Sequence, residues 1–206
     1  MNVPADALGE WAPFTLDEVA AQLRGAPFRW WVAGGWAIDL FVGRQTREHK
    51  DVEITVLCHD EAALQQWCVT WDLWYVAVPG GLKRWEPGVR LEPAVHEIWA
   101  RRPDERRWQM EVLLENSTPS GDWSYRRDGR ITLPIERFGT EIKGLPIVRA
   151  EIALLYKSKD PRPHDQADFE VISPLLDEGS RRWLADALAM CGTGGEWLPR
   201  LSSGNT

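Results

Sequence analysis

The chain reads as an α/β (α+β) protein: a small mixed β-sheet flanked by helices, with further helices at its C-terminal end. Three observations predict this. Strand-like and helix-like apolar spacings alternate from residue 29 to residue 78, a β-α-β-α-β order. A charged turn, RRPDERR (101–107), separates two further strand-like stretches. Beyond residue 148 the spacing becomes almost wholly helical. Residues 1–148 are therefore expected to form an α/β core, and residues 149–206 a helical segment packed on it.

The elements follow in order. TLDEVAAQL (15–23) opens with Thr15 and, three residues on, Glu18, the capping-box pattern of an amphipathic helix. Arg29 to Ala33 is a short apolar strand. Gly34-Gly35 breaks it, Trp36 to Val42 resumes with helical spacing, and Gly43 supplies a C-terminal stop. A loop carrying Arg44, Arg47, His49 and Lys50 leads into DVEITVL (51–57), a strand with Val52, Ile54 and Val56 on one face. His59 to Trp71 reads as a helix, Leu73 to Val78 as a strand, and residues 79–88 as a loop. Strands are expected at Leu91–Ile98 and Trp108–Leu114; in the second, Trp108, Met110, Val112 and Leu114 share the apolar face, and Gln109, Glu111, Leu113 and Glu115 the other.

Asn116 to Gly129 reads as a polar loop around Trp123 and Tyr125, with Arg126, Arg127 and Arg130 either reaching phosphate or remaining solvated. Short strands or turns follow at 131–134 and 140–148. Helices are expected at 149–159, 164–176 and 180–190, then a Gly/Ser-rich, frayed tail.

Composition limits the function. A net charge of −7 argues against a general nucleic-acid binder and favours cationic ligands. No apolar run nears the length of a membrane span, and MNVPADALGE lacks the apolar core of a secretion signal. Three cysteines without ligand or disulfide spacing suit a reducing cytoplasm. Thirteen tryptophans are accounted for first by core packing.

The segment 29–57 carries the chemistry. Glycine N–H groups at a helix start approach a phosphate unhindered by Cβ atoms, which makes Gly34 and Gly35 candidate phosphate contacts. Asp51 and Glu53 stand two apart on a strand, so both carboxylates share a face and converge on Mg²⁺. An acidic pair alone is common; the ordered set of glycine turn, helix, basic loop and acidic strand is specific.

GGWAIDLFVGRQTREHKDVEI (34–54) resembles the signature of the aminoglycoside and lincosamide nucleotidyltransferases, in the DNA polymerase β-like superfamily. The likeness continues in HEIW (96–99), DWSYRRDGRI (122–131) and LLYKSKDPRPHDQADF (154–169), covering about residues 15–175. It implies a nucleotidyltransferase core, ATP or another NTP as substrate, Mg²⁺, and transfer of AMP to a hydroxyl of a small molecule such as an aminoglycoside. It also implies a third carboxylate on the strand beside Asp51 and Glu53: Glu111, with Glu115 as alternative. Lys157 becomes a candidate for an outer phosphate; Arg44 and Arg47 either share that role or brace the acidic strand. Asp165 and Asp168 are expected as helix-start acids or partners of the lysines. Glu53 departs from the Asp of the best-studied members, which keeps open a non-catalytic nucleotide-binding relative beside a regulator acting on tRNA or protein.

Overall fold

A computed structural model describes residues 9–78 and 80–202. The first residues of the N-terminus, Pro79 and the last four residues of the tail, on which part of the expectations above fall, lie outside that range.

The fold is the expected mixed sheet with helices. Helix α1 (Leu16–Gln22) starts at the Thr15–Glu18 capping box, with both reciprocal bonds made. Strand β1 (Trp30–Val32) runs directly into α2 (Gly34–Val42), which ends on left-handed Gly43. After the basic loop, β2 (Glu53–Leu57) begins two residues later than the sequence suggests, so Asp51 sits on its approach. A single 3₁₀ turn then leads into α3 (Glu61–Trp67) and β3 (Asp72–Val76).

Three corrections concern the middle of the chain. The expected loop at 79–88 contains a short strand, β4 (Leu82–Arg84), paired antiparallel to β3. The strand expected at 91–98 is β5 (Glu97–Arg101): Leu91 and Val95 are apolar because loop residues there are buried, not because they alternate in a strand. The polar loop after β6 (Met110–Ser117) contains β7 (Trp123–Ser124), followed by β8 (Thr132–Leu133). Trp123 and Tyr125 are core residues.

Strands β9 (Gly139–Ile142) and β10 (Leu145–Val148) form a two-residue hairpin through Lys143 and Gly144, both at positive φ as such turns require. Helices α4 (Ala150–Lys157), α5 (Pro163–Ile172) and α6 (Glu178–Cys191) follow as expected. The tail does not simply fray: α7 (Trp197–Ser202) packs Trp197 flat on Phe169, centroids 4.4 Å apart, and Trp197 Nε1 donates to Gln166 at 2.6 Å.

The sheet order is β4-β3-β5-β6-β2-β1-β10-β9, with β7 and β8 continuing from β6. Two pairs are parallel, β2 with β6 and β1 with β10; the other pairs are antiparallel. One face carries Val52, just before β2, Ile54 and Val56 of β2, and Met110, Val112 and Leu114 of β6 into a core shared with α1 and α3. The opposite face packs on α4, α5 and α6 around Phe169, Leu154 and Trp123. That second packing leaves a gap over β2 and β6, where the polar residues of the two strands lie. Among the described residues no helix is long and apolar enough to cross a membrane.

Candidate active site

Strand alternation brings the carboxylates together. Because β2 and β6 run parallel, Glu53 is the register partner of Glu111, and Leu57 that of Glu115. Asp51, Glu53 and Glu111 line one cleft of about 870 Å³, joined there by Glu48, Glu97 and Glu115. The opposing wall carries Arg47, Lys50, Arg126, Arg127, Lys157 and Arg162. Of the lining charges, Glu53, Glu97, Glu111 and Glu115 come from strands, whereas the cations come from the loops, α4 and the start of α5, where Glu48, Asp160 and Asp165 also lie.

The acids repel one another. Desolvation in the cleft, then the charge of Asp51, raises Glu53 above the usual carboxylate range, against the pull of Lys157 and Arg47. Desolvation followed by Glu53, Glu97 and Asp51 raises Glu111 further still, with Arg126 opposing. Glu115 is different. It is buried, accepts from Trp123 Nε1 at 2.8 Å and from the Tyr156 hydroxyl, and is raised chiefly by burial.

The two glycines have an identifiable steric role. A Cβ on Gly34 would fall on the Glu53 carboxylate, and one on Gly35 on the His49 ring and the Arg47 guanidinium. The Gly35 N–H also bonds the Glu53 side chain. The close approach that glycine permits here is therefore made by the acidic strand and the basic loop themselves.

The basic loop is tied down at its far end. His49 Nε2 lies 2.6 Å from Asp39 Oδ2, while Asp39 Oδ1 accepts from the Thr46 N–H at 2.9 Å and from the Thr46 hydroxyl. The His49 ring rests on Trp36, centroids 4.7 Å apart. Arg47, between these anchors, reaches the cleft and approaches Asp168 Oδ1 at 3.7 Å. Arg44 does not line the cleft; it is exposed just beyond the Gly43 stop.

Lys157 does line it, but with partners: Asp165 Oδ1 at 3.0 Å and Asp168 Oδ2 at 2.9 Å, as the sequence suggested for those two acids. Burial alone would raise Asp165; hydrogen bonds from Arg162 and Lys157 outweigh it and hold the carboxyl well below its ordinary range. His59 is half exposed, near Asp60 and Ser117, and lies outside this cleft.

Sequence reasoning missed Glu97, Tyr156 and Arg162 as cleft residues. Glu97 was readable in principle, since alternation along β5 aligns it with Trp99 once the strand is started in the right place. Tyr156 is one turn of α4 from the buried Ile152, and no local pattern distinguishes it from a core residue.

Three comparisons with known proteins bear on this arrangement. Residues 15–69 match the family model described as aminoglycoside-2''-adenylyltransferase. A 2''-aminoglycoside nucleotidyltransferase of Escherichia coli, and one of Klebsiella pneumoniae, are each 50% identical over 36 residues, 18% of this chain. That match spans only 19% of each curated relative. Among solved structures, the lincosamide antibiotic adenylyltransferase LnuA with lincomycin bound superposes with a TM-score of 0.53 at 18% identity, over 85% of this chain and 100% of that one. The solution structure of the antibiotic-resistance factor ANT(2'')-Ia gives 0.55 at 14% identity, over 86% and 91%. The sequence signature and the fold agree, and the chain's resemblance to the aminoglycoside and lincosamide nucleotidyltransferases is borne out.

Proposed function

We propose that this protein is a nucleotidyltransferase that transfers AMP from ATP to a hydroxyl of a small, cationic acceptor of the aminoglycoside kind, releasing pyrophosphate. The observation that carries this reading is the pairing of Glu53 with Glu111 across parallel strands, at the foot of a cleft whose other wall is basic. An acidic floor suits a divalent cation and a protonated amine; a basic wall suits a triphosphate. The matched signature spans Gly34, Gly35, Asp51 and Glu53, and it supports the same assignment.

The residues fit magnesium by their chemistry. Asp51, Glu53 and Glu111 offer only hard oxygen donors, and two of them are raised by desolvation and mutual repulsion that a cation would relieve. Their side chains are not gathered as a ligand set: no group of three or more His, Cys, Asp or Glu among the described residues is close enough to hold an ion together. When bound by Asp51, Glu53 and Glu111, magnesium would neutralise triphosphate charge and acidify the acceptor hydroxyl. Glu111 either completes that ligand set or, left outside it, takes the proton of the attacking hydroxyl. Arg47, braced through His49 and Asp39, faces the phosphates from the loop, and Lys157 supports that wall through Asp165 and Asp168. Bond exchange at phosphorus then needs little beyond alignment and charge compensation.

The test is pyrophosphate release from ATP across a panel of hydroxyl compounds, with Asp51→Asn as control. Release that depends on an amine-bearing acceptor and disappears in the variant supports the reading; release with none of the panel removes it. The ungathered carboxylates favour one second reading, a nucleotide-binding relative without turnover. Magnesium-dependent ATP binding with no adenylylated product, judged by intact mass of the acceptors, would select it.

A further inference from the structure

Arg126 and Arg127 are neighbours in sequence and both lie against the Tyr156 ring, at 5.3 Å and 5.5 Å from its centre, but they differ in their hydrogen bonding. The Arg127 guanidinium donates to the Tyr156 carbonyl at 2.7 Å and to the Tyr125 hydroxyl at 3.4 Å, so its fork is committed to the fold. Arg126 has its Cζ 5.3 Å from the centre of the Tyr156 ring, and among the described residues no carboxylate pairs with it and no acceptor takes its hydrogen bonds. Of the other cleft cations, Lys157 is held by Asp165 and Asp168, and Arg162 by Asp165; Arg47 is held in part, one amino group donating to the Glu48 carbonyl at 3.2 Å and its buried Nε lying 3.7 Å from Asp168 without a hydrogen bond. Lys50 and Lys159 are exposed at the rim. Arg126 is thus a half-buried guanidinium in the cleft with its donors unspent.

Its platform is built with care by the fold. Tyr156 donates its hydroxyl to Glu115, which also accepts from Trp123 Nε1 at 2.8 Å, deep in the core, and from the Thr55 side chain. The Tyr125 ring meets Tyr156 edge-on, with centroids 5.0 Å apart. A tyrosine held at its hydroxyl, its flank and its carbonyl presents a fixed face, and a guanidinium over a fixed face keeps its planar fork in one orientation. A buried carboxylate otherwise costs stability, so its retention beneath Tyr156 calls for a use.

We infer that Arg126 is the residue that takes the outer phosphates of the substrate, with Tyr156, anchored by Glu115, as the positioning residue that sets its fork. The inference rests on the nucleotidyltransfer reading and assigns within it a contact that Lys157, already paired to two aspartates, is less able to supply. A planar fork matches phosphate oxygens in pairs, so the contact serves the β- and γ-phosphates and then the pyrophosphate that leaves. AMP, which lacks those groups, gains nothing from it.

Calorimetric titration of the full chain with ATP, AMP and inorganic pyrophosphate, in magnesium, tests it. Arg126→Ala should weaken ATP and pyrophosphate by roughly tenfold to a hundredfold and AMP by less than about threefold. Arg126→Lys restores charge without the fork and should recover only part of that loss. Tyr156→Phe keeps the ring but frees it from Glu115, and should weaken ATP more than AMP while the far-ultraviolet spectrum stays that of the wild type. Equal effects of Arg126→Ala on ATP and AMP, or no effect on either, overturn the assignment. Wild-type protein that binds pyrophosphate but not ATP removes the nucleotide reading while leaving Arg126 to be judged on pyrophosphate alone; binding of neither removes both.

Discussion

Glu53 and Glu111 are register partners on parallel strands, and both have raised proton affinity: Glu111 by burial and then the charge of Glu53, Glu53 by burial and then the charge of Asp51. Two carboxylates in one cleft without a cation between them destabilise the fold they belong to. That strain has a readable consequence for each member of the pair.

Glu111→Gln keeps the shape and is neutral without a proton. Burial and the charges of Glu53, Glu97 and Asp51 push Glu111 up to about 10, so at pH 7 the metal-free wild type must hold there a proton that the unfolded chain releases, and the variant should be the more thermally stable. If Glu111 is the base of the proposed transfer, adenylylation should fall by roughly 10²–10⁴ while ATP affinity stays within about threefold. Differential scanning calorimetry and pyrophosphate release measure the two effects separately. A variant that melts no higher and turns over normally would remove Glu111 from the site and leave Glu115 to be tried next.

Gly34 has φ of +58°, and a Cβ there would fall on the Glu53 carboxylate. Gly34→Ala should therefore lose about 1–2 kcal/mol from the left-handed backbone alone and, in addition, displace Glu53 and weaken magnesium-dependent ATP binding. Gly43→Ala is the control: its φ is +82° but a Cβ would meet nothing within 4 Å. It should show the conformational cost and leave binding unaltered. Identical behaviour of the two variants would mean that Gly34 serves the helix start and nothing more.

Much of this was legible in the chain because it is local. The capping box of α1, the glycine stop of α2 and the alternation that sends Glu53 and Glu111 away from the apolar faces are all short-range patterns. What was not legible is what depends on partners far away. Leu91 and Val95 are apolar like strand residues yet are buried from a loop, and this pushed the predicted β5 several residues too early and hid Glu97. Trp123 and Tyr125 lie among polar residues, so their burial shows only once α4 covers them. Trp197 sits in a Gly-rich tail, and α7 exists because its ring finds Phe169, twenty-eight residues back. The pairing of Asp39 with His49, ten residues apart, carries no periodic signature either.

Asp165 gives the acid limb of stability. Its carboxyl faces Lys157, Arg162 and His164, and hydrogen bonds from Arg162 and Lys157 depress its pKa despite burial. A depressed carboxyl contributes stability that is complete above the unfolded value, near about 3.9, and is lost as pH falls through the folded value. Chemical denaturation from pH 7 to pH 2 should therefore show wild-type stability declining below about pH 4, and Asp165→Asn, already less stable at pH 7, declining less steeply. Glu18, Glu105, Asp128 and Asp177 are depressed as well, so a residual slope remains in the variant. Parallel curves for the two proteins would assign the acid limb to those exposed groups instead.

Lys157 decides between a binding and a bracing role for its end of α4. Its ammonium lies within 3.0 Å of Asp165 and 2.9 Å of Asp168, and both aspartates are buried. Lys157→Met takes away the charge and keeps most of the apolar stem, leaving Asp165 to Arg162 and Asp168 with only Arg47 at 3.7 Å. Stranding a buried carboxylate in this way costs about 3–5 kcal/mol, more than a single lost contact with solvent-exposed phosphate would. Urea unfolding of Lys157→Met should show a loss of that size. Adding Asp168→Asn removes the stranded charge and should restore a good part of it, the mark of a coupled pair in a double-mutant cycle. ATP and AMP should then weaken alike in the single variant, since the damage lies in the wall rather than at the outer phosphates. A stable Lys157→Met protein that loses ATP selectively would reverse the division of labour, returning the phosphate contact to Lys157 and leaving Arg126 a solvated neighbour of Tyr156.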